Sequence, residues 1–167
     1  MNDSLIAPRK ARRRLLQLAA SAAALAVSPV LQAQLAPNIA ALRQAALAQA
    51  LRQLVGAATL RQGRVKIDMP PLIENGNSVP ITVRVESPMS ATDYVQAIHV
   101  LTEKNLQPMV VSARLGPRAG RAVLSTRARI ADTGAVIAIA HLSDGSFWSD
   151  QVQAVVTLSA CLEEGLI

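Results

Sequence analysis

Residues 79–85 read Val79-Pro80-Ile81-Thr82-Val83-Arg84-Val85. Every second residue is a branched aliphatic, and those between are polar or proline. Successive side chains of a strand point to opposite faces, so this stretch is a strand with one buried and one wet face. The pattern extends outward in both directions. Upstream, Val65, Ile67 and Met69 alternate with Lys66 and Asp68 until Pro70-Pro71 ends the run. Glu74-Asn75-Gly76-Asn77 is a turn, because Asn and Gly tolerate positive φ. Downstream, Pro88 interrupts and Val95, Ile98, Val100 and Leu101 form another strand. Pro108 closes a turn, and Met109 to Leu115 resumes. From Val123 to Ile130, Ser125, Arg127 and Arg129 alternate against Leu124, Thr126 and Ala128. Val136 to Leu142 is nearly all apolar, as a central strand is. Ser143-Asp144-Gly145 turns the chain, and Gln151 to Leu158 alternates once more.

About seven short strands separated by Gly, Pro, Asn and Asp turns predict an all-β fold, an immunoglobulin-like antiparallel β-sandwich over residues 64–158. The strand–helix alternation of a doubly wound sheet is missing. Residues 34–63 precede the sandwich as a helix and linker. Ile39, Leu42, Ala46, Leu47, Ala50, Leu51, Leu54 and Val55 recur at helical spacing. Asn38 is the predicted cap and Gly56 the predicted stop, giving a short amphipathic helix over 38–55. It is expected to pack on its own domain, with a partner as the other possible dock.

Residues 1–33 have a different composition. Arg12-Arg13-Arg14-Leu15-Leu16 carries a paired arginine, a spacer and two leucines, the twin-arginine export pattern. Leu15 to Val27 is too short and too weakly apolar to span a bilayer, which takes about 20 apolar residues. Residues 1–33 are therefore expected to be a signal peptide, with Arg12 and Arg13 as its motif, and the protein to be periplasmic without stable membrane association. Removing the leader takes five of the 17 cations and one of the 11 anions, so the net charge falls from +6 to +2. The basic balance belongs to the leader and gives no nucleic-acid footprint. Aromatic residues are only 2%, which leaves few faces on which bases could stack.

Little in the chain reads as chemistry. His99 and His141 each fall inside a predicted strand, without a second ligand at metal spacing. His141, Ser143 and Asp144 are near in sequence, but a triad requires geometry, and Asp144-Gly145 reads as a turn. No phosphate loop or dinucleotide fingerprint occurs. No catalytic residue, metal or cofactor is expected. Cys161 is the only cysteine, so no internal disulfide can form. A lone cysteine is either a small buried hydrophobe or, in an exported protein, a thiol that reacts or pairs between molecules. Its place in a tail (residues 159–167) beyond the last strand favours exposure.

The segment Pro70-Pro71-Leu72-Ile73-Glu74-Asn75-Gly76-Asn77-Ser78-Val79-Pro80 resembles a stretch of the SoxY family. The likeness continues through Ser87-Pro88-Met89, Asp93-Tyr94-Val95, Ile98-His99-Val100-Leu101, Glu103-Lys104-Asn105, Ser125-Thr126-Arg127 and Ser143-Asp144-Gly145-Ser146-Phe147. It covers about residues 60–161, in order and at matching spacing. The resemblance implies a non-enzymatic carrier of thiosulfate-derived sulfur that pairs with a SoxZ-like subunit as a heterodimer. It implies that Cys161 bears the sulfur covalently. It also implies a haem protein that loads the thiol, a hydrolase that releases sulfate, and a sulfane dehydrogenase that oxidises the remaining sulfur. The family tail reads Gly-Gly-Cys-Gly-Gly, whereas this one reads Ser159-Ala160-Cys161-Leu162-Glu163-Glu164-Gly165-Leu166-Ile167. Two other readings fit the same residues: an exported structural or assembly module with an inert cysteine, and a diverged carrier for another thiol pathway.

Overall fold

The computed structural model describes residues 38–157. The first element is helix α1, Ile39–Val55. Gly56 stops it in the left-handed region at φ 63°, with its N–H donating to the Arg52 carbonyl. A Cβ would be strained in that conformation. Nine strands follow: β1 (Leu60–Gln62), β2 (Val65–Asp68), β3 (Leu72–Ile73), β4 (Val79–Val85), β5 (Val95–Thr102), β6 (Met109–Arg114), β7 (Val123–Ala128), β8 (Gly134–Leu142) and β9 (Phe147–Val156). Among the described residues, no helix is long and apolar enough to cross a membrane.

The strands form two sheets. The larger runs β1-β9-β8-β5-β6, with β3 also paired to β9, and the smaller runs β2-β4-β7. In β4, Val79, Ile81, Val83 and Val85 are buried while Pro80, Arg84 and the half-buried Thr82 face outward. The inward residues of β4 meet Ile98 and Val100 of β5, Val136, Ala138, Ala140 and Leu142 of β8, and Ala154 and Val156 of β9. Each fully buried Val or Ile contributes about 1.5–3 kcal/mol relative to exposure. With so few aromatics, these aliphatics make the core. The free edge of β2 is stitched to the other sheet, because the Ile67 N–H donates to Asp150 Oδ2 at 2.8 Å.

The seven longer strands match the expected runs, and all of their ladders are antiparallel. Three features differ from the sequence reading. First, β9 starts at Phe147, ahead of the expected Gln151. Secondly, β1 and β3 are additional strands of three and two residues, and both pair with β9 in parallel. Strands that short carry no periodicity to read. β1 also brings Leu60–Gln62, read as linker, into the larger sheet. Thirdly, α1 buries no residue completely. Its apolar side, including Leu47, Leu51 and Leu54, is half-buried and does not join the core between the sheets. Its first turns meet Glu103 and Asp132 at one end of the larger sheet, and β1, which follows it, pairs at the other end.

Candidate functional site

Cys161, Arg12 and Arg13 lie outside the described residues. The structure does describe the frame from which the cysteine segment leaves. β9 ends at Val156 and β3 lies beside it, with Leu72 opposite Val155 and Ile73 opposite Val156. The Val155 N–H donates to the Pro71 carbonyl and the Thr157 N–H to the Ile73 carbonyl, at 3.0 and 2.9 Å. Thr157 Oγ1 lies 3.3 Å from the carbonyls of both Ile73 and Glu74. On the other side of β9, Thr133 Oγ1 accepts the Val156 N–H at 2.9 Å and donates to the Val156 carbonyl at 3.3 Å. The last described residues are thus held from both flanks. Four residue steps separate Thr157 from Cys161, so the thiol-bearing Cα stays within about 14 Å of this root.

The residues behind β3 hold it in place. Asn75 Oδ1 accepts the Asn77 N–H at 2.9 Å, an Asx turn that reverses the chain into β4. The Ile130 N–H donates to the Gly76 carbonyl at 2.8 Å. The Pro70–Pro80 segment therefore clamps the root of the cysteine segment. Sequence reasoning read its turn but missed its strand; the only signal was Leu72-Ile73 wedged between two prolines and a turn.

A cleft of about 150 Å³ opens at the same end of the sandwich, between Ala40, Arg43 and Gln44 of α1 and Glu103, Lys104 and Asp132. Lys104 Nζ pairs with Glu103 Oε1 at 2.7 Å, and the Ala135 N–H donates to Glu103 Oε2 at 3.1 Å. The Lys104 hydrogen bond, then the Ala135 N–H, holds the Glu103 carboxyl below its ordinary pKa. Two cations face two carboxylates here, so the cleft has no net charge with which to select an ion.

The structure brings the two histidines together, which 41 intervening positions had hidden. Ala97 pairs with His141 and His99 with Ile139, so the imidazoles are diagonal neighbours on adjacent strands. His99 Nδ1 lies 2.9 Å from Ser112 Oγ. Burial, then the charges of His141 and Arg114, lowers the His99 pKa. His141 stacks on Phe147, with ring centroids 4.4 Å apart. No group of three metal-capable side chains occurs among the described residues. Ser143, Asp144 and His141 do not form a triad. Ser143 Oγ donates to the Thr92 carbonyl and accepts the Tyr94 N–H, while Asp144 Oδ1 accepts from Ser146 in a tight turn.

Fold and frame together define an immunoglobulin-like sandwich whose last strand feeds a segment with a single cysteine. The family model for the sulfur oxidation protein SoxY matches residues 51–161, and the chain belongs to that family. The matched region ends on Cys161. The solved sulfur carrier protein SoxY from Chlorobium limicola f thiosulfatophilum is 26% identical, with a TM-score of 0.57 over 68% of this chain and 98% of its own. This makes the chain a sulfur-oxidation carrier. A superoxide reductase (neelaredoxin) from Ignicoccus hospitalis shares the fold, at 16% identity and a TM-score of 0.51 over 56% of this chain and 80% of its own. No curated protein matches the chain.

Proposed function

We propose that Cys161 is the carrier residue and holds thiosulfate-derived sulfur covalently for the enzymes that load and oxidise it. The observation that carries this reading is the clamped root. Thr157 and Val156 are pinned by Ile73, Glu74 and Thr133, and Cys161 follows four positions later in the family-matched region. A rigid base with a short cysteine segment suits a group that must reach into several active sites in turn. The thiolate couples with thiosulfate by losing two electrons to a haem-protein loader. Hydrolysis then releases sulfate and leaves sulfane sulfur on Cys161 for a dehydrogenase. The sandwich itself contributes the mount, and no cofactor is needed beyond the adduct.

The working location is the periplasm, reached by twin-arginine export through the Arg12-Arg13 motif. That route moves folded proteins, which suits export together with a SoxZ-like partner. The test is the intact mass of the protein purified from cells grown on thiosulfate, with and without reductant. Reductant-sensitive added mass mapped to Cys161 supports the carrier role. A bare thiol under those conditions, with normal thiosulfate growth of the Cys161→Ser strain, overturns it. Mixing with the SoxZ-like subunit tests the pairing, which fails if the sandwich stays monomeric.

A further inference from the structure

The smaller sheet leaves its outer face bare. Lys66 lies beside Arg84 on that face, Thr82 beside Ser125, and Arg127 beside Pro80. Of these only Thr82 is half-buried; the others are exposed. Arg121 and Arg129, also exposed, stand just before and just after β7. The sheet and its flanks therefore carry five cations, against the two exposed anions Asp68 and Glu86, a balance of +3. The rest of the chain from residue 34 onward holds seven cations and eight anions. The positive charge of the sandwich is gathered on one side.

That gathering costs stability. Lys66 and Arg84 are direct cross-strand partners, about 5 Å apart at Cβ, and like charges so placed repel. Among the described residues, no carboxylate pairs with Lys66, Arg84 or Arg127. Arg127 donates instead to the Ser78 carbonyl at 3.3 Å. The cations also keep a fixed spacing. Arg127 lies opposite Pro80, four residues from Arg84 along β4, which is about 13 Å. Midway, the Thr82 and Ser125 hydroxyls lie 3.1 Å apart in a hydrogen bond, and Asp68 pairs with Thr82 from the other side. The face is thus positive at two points and carries a carboxylate level with the gap between them.

We propose that this face docks an extended acidic segment of a protein partner, with carboxylates four residues apart, one against Lys66 and Arg84 and the other against Arg127. An extended chain rises about 3.3 Å per residue, so the segment keeps step with β4 beneath it. Asp68 repels a carboxylate placed midway, which fixes the register. Asp68 and Glu86 also interrupt the cations, which suits carboxylates at intervals and opposes the unbroken charge of a phosphate backbone. Contacts between exposed charges are screened by salt and govern encounter and orientation more than lifetime. The dock goes beyond the carrier reading and involves no chemistry at Cys161.

The probe is the pentapeptide acetyl-Glu-Ser-Thr-Ser-Glu-amide, titrated at low salt into the full chain and followed amide by amide by NMR. The expected shifts fall at residues 66, 84, 125 and 127 and fade as salt is added. Arg84→Gln and Arg127→Gln should each weaken binding severalfold. Arg52→Gln removes the same charge from the exposed last turn of α1 and should leave binding unchanged. Moving the second glutamate to position 3 should weaken binding severalfold. Shifts spread over cations throughout the chain overturn the proposal, as does Arg52→Gln weakening binding as much as the face variants. Equal binding of the two peptides overturns the register. A DNA oligonucleotide that shifts the same amides at lower concentration overturns the protein assignment and gives the face to nucleic acid. If Arg84→Gln fails to fold, Lys66→Gln reads the same end of the face. The carrier role is decided separately, by adduct mass at Cys161.

Discussion

Replacing Thr133 with valine keeps the shape of the side chain and removes one hydroxyl. That hydroxyl closes the last gap in the β8–β9 ladder, accepting the Val156 N–H at 2.9 Å and donating to the Val156 carbonyl at 3.3 Å. The regular pairing of the two strands has already ended at Gly134 and Ala154. Val156 is 8% exposed, so its N–H is not free to turn to water. Leaving a buried donor unsatisfied costs about 1–3 kcal/mol. The Val156 carbonyl is lost as an acceptor as well, but only through the longer contact, so we expect about 1–2 kcal/mol in total. For a domain of this size that lowers Tm by about 4–8 °C. Urea unfolding gives the free energy, and amide hydrogen exchange at residues 155–157 should quicken beyond the global change. Thr133→Ser retains the oxygen and should stay near wild type. If Thr133→Ser loses as much as Thr133→Val, the methyl group and not the hydrogen bond holds the root, and the reasoning fails.

Gly134→Ala should destabilise the same corner by about 1–3 kcal/mol, because the new Cβ would lie 2.6 Å from Lys104 Cγ, an atom too near the backbone to swing aside; an unchanged urea midpoint would show that the Glu103–Lys104 turn yields freely. Ile98→Ala, at a fully buried position between the sheets, should cost about 2–5 kcal/mol in the same assay. The folded pKa of Glu103 lies below its ordinary value, so the folded state binds fewer protons and stability falls as pH drops through the carboxylate range. Glu103→Gln should flatten that limb of a plot of urea midpoint against pH. His99 gives a second limb of the same sign: its folded pKa is lowered by burial and by His141 and Arg114, so its contribution is complete above about 6.5 and is lost as pH falls from there. His99→Gln should remove the slope just below neutrality and leave the carboxylate limb in place.

Period-two alternation made β2, β4 and β7 legible, because each has one face on the core and one in water and the pleat writes that difference into every second residue. The continuous apolar run of β8 likewise reported a strand covered on both faces. β5 was readable in spite of a broken period. Val95, Ile98 and Val100 all reach the core because the register slips between Val95 and Ala97, and only pairing with β8 reveals that bulge. The cysteine was visible in the sequence as the single residue of its kind, and the family-like segments were visible in their order. The frame beneath that cysteine was not. β3 has two residues, too few for any period, and it becomes a strand only because β9, more than 80 positions away, offers it a parallel edge. The meeting of His99 with His141 follows from the register of β5 on β8. Local pattern records which face of a short segment avoids water. It carries no record of which distant segment supplies the other half of a ladder, and that choice belonged to the tertiary structure.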